Sequence, residues 1–166
     1  EALMNKLVDK FPDQREVRLL RARYFHRIAR KPDKAYAELL ALGEADRQSS
    51  EVVQLLASVL GDLGRLDEVT VLLDGAIDLN NVDQELVALL AEVRLEQNKL
   101  GDATELARRV LDENPSNALA LYVRGRIAES QGQADLALAD YRRAITADAD
   151  CARALRRKWK LELQRG

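Results

Sequence analysis

Histidine and cysteine are nearly missing from this chain of 166 residues, which has one of each, His26 and Cys151. A single thiol excludes a disulfide framework and a thiolate zinc cage, and a single imidazole leaves little for histidine-based catalysis. Aromatic residues make up 4%, with three prolines and eight glycines. That scarcity, beside abundant Leu, Ala, Arg and Glu, favours helix and argues against a β-sandwich, a dinucleotide-binding sheet or a disordered tail. Neither charge sign dominates: 26 Lys and Arg face 28 Asp and Glu, a formal net charge of −2. Long apolar runs are absent too, since stretches such as Leu86 to Ala91 and Ala118 to Val123 fall far short of the roughly 20 residues a membrane-spanning helix needs. What remains is an all-helical chain, with 47% hydrophobic residues to build a core, forming one domain or one repeat array.

The sequence repeats itself. Ala35, Val69, Ala103 and Ala137 stand 34 residues apart. Leu19, Val53, Val87 and Leu121 form a second column at that spacing, Leu39, Leu73, Ala107 and Tyr141 a third, and Leu42, Ala76, Val110 and Ala144 a fourth. The repeats run over 16–49, 50–83, 84–117 and 118–151 without insertions. Within each, apolar residues recur at helical spacing, for example Val52, Val53, Leu55, Leu56, Val59 and Leu60, then Leu66, Val69, Leu72, Leu73, Ala76 and Ile77, which predicts two helices per repeat. Turn residues separate them: Asp62 to Arg65, Gln97 to Lys99 and Gln131 to Gln133 within repeats, and Asn80 with Asn81, Asn114 to Asn117 and Asp148 to Asp150 between repeats. Pro32 suits the first turn of a helix, and the small Ala35, Ala103 and Ala137 allow paired helices to approach closely.

These features resemble the tetratricopeptide repeat family, whose 34-residue units are helix–turn–helix pairs. The fourth repeat matches best, with Gly125, Gly132, Ala137, Tyr141 and Ala144 at family positions; the third keeps Ala91, Ala103 and Pro115; the second has Ala57, Gly64 and Ala76 but Val69; the first departs most, with Arg23 and Leu42 where small residues are usual. The resemblance implies an all-α, right-handed superhelical solenoid of antiparallel helix pairs. Residues 1–15 read as the second helix of a preceding repeat that has been cut away, and the opening at Glu1 already in helical register suggests a fragment. Residues 152–166 read as a capping helix whose stripe of Leu155, Trp159 and Leu163 covers the apolar end of the stack.

The resemblance also implies where a partner binds: on the first helix of each pair, at repeat positions 2, 5, 9 and 12. Those positions hold Val17, Leu20, Tyr24 and Arg27; Glu51, Gln54, Ser58 and Gly61; Glu85, Ala88, Glu92 and Leu95; and Leu119, Tyr122, Arg126 and Glu129, with Arg153, Arg156 and Lys160 continuing the series. The expected groove residues are Leu20, Tyr24, Arg27, Glu51, Gln54, Ser58, Glu85, Ala88, Glu92, Tyr122, Arg126, Arg153, Arg156 and Lys160. Net charge by repeat is +3, −6, −3 and −1, with +5 in 152–166, which suggests a bipolar groove: Glu51, Glu85 and Glu92 for a basic segment, Arg153, Arg156 and Lys160 for an acidic one. The family's clamp for chaperone tails is absent, because Leu20, Tyr24 and Leu55 occupy its polar positions.

Other signals are weaker. Arg15, Arg18, Arg21, Arg23, Arg27, Arg30 and Lys31 spread around a helix instead of forming one phosphate-binding face, so no nucleic acid is expected. The run Arg156 to Lys160 has a better use in capping than on a membrane. His26 sits at a packing position, Cys151 has no ligand partner at metal spacing, and Gly61 to Gly64 lacks the strand and Lys-Ser/Thr of a phosphate cradle. The sequence thus predicts no enzyme, cofactor or metal, but a scaffold for a protein or peptide, monomeric or weakly self-associating. Its uninterrupted units resemble bacterial arrays, including those of envelope and exopolysaccharide export systems. The alternative is a rigid spacer or self-association module within a larger protein.

Overall fold

The computed structural model describes residues 2–11, 14–77 and 83–165; the turn at Asn80 and Asn81 and the Pro12-Asp13 pair lie outside them. Every regular element among the described residues is helical. The chain divides into two compact bodies, residues 1–79 and 80–166. The N-terminal body holds α1 (Ala2–Lys10), α2 (Arg15–Arg23) continuing through a π turn at Tyr24–Ile28, α3 (Pro32–Leu40), a short α4 (Glu44–Arg47), α5 (Ser50–Asp62) and α6 (Leu66–Ile77). The C-terminal body holds α7 (Gln84–Glu96), α8 (Leu100–Glu113), α9 (Ala118–Ser130), α10 (Ala134–Ala147) and α11 (Ala152–Arg165).

The apolar columns form the cores. All four members of each of the first three columns are at most 3% exposed, which removes about 1.5–3 kcal/mol worth of apolar surface from water for each large side chain. The closest helix approach is in the fourth repeat. A Cβ on Gly125 would lie 2.6 Å from Cε1 of Tyr141 and 3.3 Å from the backbone oxygen of Ala137, so a bare glycine lets α10 lie against α9. Tyr141 is fully buried up to its hydroxyl, which donates to Glu129 at 2.6 Å. Burial chiefly, and this hydrogen bond next, push its pKa up.

Helix ends obey the repeat as well. The residues with left-handed backbone are Arg30 (φ 53°), Gly64 (72°), Asn98 (60°) and Gly132 (75°), one per repeat and 34 apart. After each, an amide closes the helix end: Arg65 to the Leu60 carbonyl at 2.9 Å, Lys99 to Arg94 at 2.8 Å and Gln133 to Ala128 at 2.9 Å. In the first repeat Lys31 reaches Phe25 at 2.8 Å, one residue further back, because the π turn widens the helix there. The first helices of the third and fourth repeats are entered from another periodic position. Asp83 accepts from the Glu85 amide and Asn117 from the Ala120 amide, both at 2.9 Å.

One element was unforeseen and one expectation needs correction. No sequence signal pointed to α4, which forms where the buried Leu42 stands in a column otherwise holding smaller Ala76, Val110 and Ala144 and α3 stops at Leu40. The stripe on α11 does not cap the stack: Trp159 is 56% and Leu163 84% exposed, whereas Ala154 and Leu161 are buried. In the 34-residue register Ala154 and Leu161 correspond to the buried Ala120 and Ile127, and Leu155 and Trp159 to Leu121 and Gly125. The stripe therefore occupies the face that α9 turns toward its own second helix.

Replacing Arg30 with Gly should raise the unfolding free energy by about 1 kcal/mol, and Gly132→Ala should lower it by about 1 kcal/mol, since the left-handed backbone penalises a side chain. Urea unfolding followed by circular dichroism measures both. Gly125→Ala should lower stability by about 1–3 kcal/mol through overpacking against Tyr141, and the companion change Tyr141→Leu should recover part of that loss in the same assay.

Candidate interaction surface

In the N-terminal body the expected residues converge. Glu51, Gln54 and Ser58 lie three and four apart on α5 and so share one face, and the π turn brings His26 and Arg27 opposite them. With Arg23 and Leu55 they line a hollow of about 150 Å³. Glu51 accepts from Arg15 at 2.9 Å and also pairs with Arg23; the Arg15 hydrogen bond foremost, then Arg23, hold its carboxyl below the usual range. Arg27 is exposed. His26 is buried, its Nε2 2.9 Å from Asp62 Oδ2 while Nδ1 meets no polar partner. Leu20, 48% exposed, stands outside the hollow, and Tyr24 is half-buried against the core beside Phe25.

The C-terminal body treats its expected residues differently. Ala88 is fully buried and Tyr122 is 5% exposed, so neither presents apolar surface to a partner. Tyr122 instead packs against Tyr141, with ring centroids 6.1 Å apart, and its hydroxyl accepts from Arg126 at 3.0 Å. Arg126 also donates to Glu96 at 3.0 Å. Glu85 accepts from Asn117 at 2.7 Å. Glu92 on α7 pairs with Arg153 on α11, two first helices with α9 between them in the repeat order.

Burial raises the Glu92 carboxyl above its ordinary value, outweighing Arg153. Its ionisation therefore opposes folding as pH rises above the usual glutamate range, and the opposition fades as pH falls through it. Arg156 and Lys160 remain exposed, the former donating to its own helix at the Ala152 carbonyl.

The structure thus brings Arg27, Glu51, Gln54 and Ser58 together, links Glu92 with Arg153, and withdraws Ala88 and Tyr122. Sequence reasoning missed Arg15, Arg23 and Glu96 as partners. The available signal was opposite charge at separations near the repeat length, 36 for Arg15 and Glu51, 28 for Arg23 and Glu51, 30 for Glu96 and Arg126. Among the described residues no group of three His, Cys, Asp or Glu is placed to hold a metal ion, and no helix is long and apolar enough to cross a membrane.

A tetratricopeptide repeat family model matches residues 89–158. Among curated proteins none matches the chain in sequence. Solved structures of similar fold include a tetratricopeptide repeat protein from Parabacteroides merdae, 19% identical, covering 96% of this chain and 62% of that one, with a TM-score of 0.80. TTC0263, a thermophilic TPR protein in Thermus thermophilus, is 16% identical over 98% of this chain and 88% of its own, with a TM-score of 0.77. YrrB, described as a TPR protein with an unusual peptide-binding site, is 15% identical over 98% of this chain and 83% of its own, with a TM-score of 0.61. Residues 89–158 thus match the tetratricopeptide repeat model in sequence, and the described residues share the fold of solved tetratricopeptide repeat proteins.

Proposed function

We propose that the chain is a protein-interaction scaffold that holds a protein or peptide segment in the concave groove lined by its first helices. The hollow formed by Arg27, Glu51, Gln54 and Ser58 carries this reading, because four residues chosen by repeat position alone line one concavity. The fold, shared with a peptide-binding protein such as YrrB, supports it. The chemistry on offer is recognition: a guanidinium, an amide and a hydroxyl around a carboxylate already held by Arg15 and Arg23.

That engagement sets the partner's charge. With Glu51, Glu85 and Glu92 each engaged within its own body, the cations among the expected residues that stand outside any ion pair of the described residues are the exposed Arg27, Arg156 and Lys160. The scaffold therefore suits a segment carrying carboxylates, not the basic segment that a bipolar groove would take. A place in a bacterial envelope or exopolysaccharide export assembly rests on the resemblance of the uninterrupted repeats alone.

Panning a random peptide library on the wild-type chain should enrich sequences bearing Asp and Glu. The selected peptides should bind Arg27→Glu/Gln54→Ala at least about tenfold more weakly, the loss of one charge-assisted contact. Titration by fluorescence anisotropy measures it, with circular dichroism showing equal helicity. Equal binding to the two proteins removes the hollow from the site.

A further inference from the structure

Among the described residues, two clusters of apolar side chains outside the hollow above stand out as uncovered. The first is a furrow of about 590 Å³ in the N-terminal body, between the second helices α3 and α6 and floored by α5. Its apolar walls are Tyr36, Leu40, Leu56, Leu60, Val71 and Leu72, with Leu40 44% and Val71 74% exposed. Two repeats on, 68 residues later, the equivalent positions hold Thr104, Arg108, Arg124, Ala128, Ala139 and Asp140. There the furrow between α8 and α10 is bridged by a two-pronged ion pair, Arg124 to Asp140 at 2.7 and 2.6 Å. Where the C-terminal body places that pair, the N-terminal body places Leu56 and Leu72. One wall is built one way in two repeats and the opposite way in two others, so the apolar version is not imposed by the fold.

The second surface is the stripe on α11, Leu155, Trp159 and Leu163, spanning about 12 Å at 1.5 Å per residue. Trp159 stands in the column of Gly125, where even a Cβ would collide with Tyr141. No helix can pair with α11 as closely as α10 pairs with α9; whatever covers the stripe must offer a hollow for the indole. Charge narrows the occupant further. Arg156 and Lys160 beside the stripe stand outside any ion pair of the described residues, whereas Arg153, Arg157, Lys158 and Arg165 pair within their own body, and repeat 50–83, which supplies α5 and α6, carries −6. Three carboxylates, Glu44, Asp67 and Glu68, and one cation, Arg47, stand on the furrow's rim, with Glu68 paired to Arg65. Packing α11 on another α11 would oppose like charges, whereas furrow and stripe are complementary in charge and both apolar.

We propose that α11 of one copy of this chain docks its Leu155–Trp159–Leu163 stripe into the α3–α6 furrow of a second copy. The contact is heterologous: each bound copy still presents an open furrow or an open stripe, so copies add head to tail or close into a ring. This goes beyond the scaffold reading and uses neither Arg27 nor Gln54.

Sedimentation of the wild-type chain over a rising concentration series should show a mass that climbs past the dimer and falls with added salt. Emission of Trp159, the sole tryptophan, should shift to the blue in parallel as the indole leaves water. Trp159→Ala, and separately Leu40→Arg/Val71→Ala, alter exposed positions and should keep helicity while weakening association at least about tenfold. Mixed in equal amounts, the two variants retain one intact stripe and one intact furrow between them, and should form a 1:1 dimer and nothing longer. A wild type that stays monomeric at every concentration overturns the proposal, as does association unchanged in either variant or a mixture that stays monomeric. Capture of α11 by vesicles of anionic and zwitterionic lipid, in place of self-association, overturns it too. Peptides selected on the hollow should bind both variants as they bind the wild type, so this contact and the scaffold reading fail separately.

Discussion

Every first helix in this chain must hand over to a second helix running back beside it within about three residues, and one left-handed residue accomplishes each reversal. Arg30, Gly64, Asn98 and Gly132 fall at the same place in four consecutive repeats, and the amide that follows each returns to the end of the helix just completed. Fixing the reversal fixes which residues of the two helices meet. Gly125 can face Tyr141 and Ala137 because Gly132 turns the chain seven residues later. A left-handed turn displaced by one residue would rotate the second helix by about 100° relative to the first and carry the apolar columns out of register together.

The first repeat shows what happens when that constraint is met by less suitable residues. Arginine takes the left-handed position, and the returning bond from Lys31 spans an extra residue to Phe25, which the π turn at Tyr24–Ile28 accommodates. Glycine relieves the backbone in the second and fourth repeats; here the helix absorbs the misfit by widening. The widened segment carries His26 and Arg27, two of the side chains around the hollow opposite α5. The repeat that departs most from the family pattern is thus the one whose irregular backbone shapes a concavity.

Legibility in the sequence followed the same division. Periodicity reports which residues share a face, so the apolar columns, the close-packed small residues and the helical class could be read directly. It does not report whether a second face exists to cover the first. Leu155, Trp159 and Leu163 form a true helical stripe, yet α11 packs through Ala154 and Leu161 and leaves Trp159 and Leu163 in solvent with Leu155 half-buried. Tyr122 erred in the opposite direction: a repeat position that suits a ligand contact is filled inward because the neighbouring Tyr141 offers its ring and Arg126 satisfies the hydroxyl. Ion pairs such as Arg15 with Glu51 depend on side-chain rotamers across adjacent helices, which no periodic rule specifies.

Segment charge is the point at which linear arithmetic and structure diverge most. Counted along the chain, 152–166 is strongly basic and 50–83 strongly acidic, which suggests two poles of a field. In the structure Arg153, Arg157, Lys158 and Arg165 are each drawn onto a carboxylate, Glu92, Glu129, Glu162 and Asp135, while Glu51 is held by two arginines. Exposed pairs of this kind add little to stability, but they remove their members from the long-range field. Among the expected groove residues, the cations left outside any ion pair of the described residues are Arg27 beside the hollow and Arg156 and Lys160 on α11. Segment sums therefore overstate the poles: of the six cations on α11 only Arg156 and Lys160 stand apart from an ion pair of the described residues, beside the exposed Trp159 and Leu163.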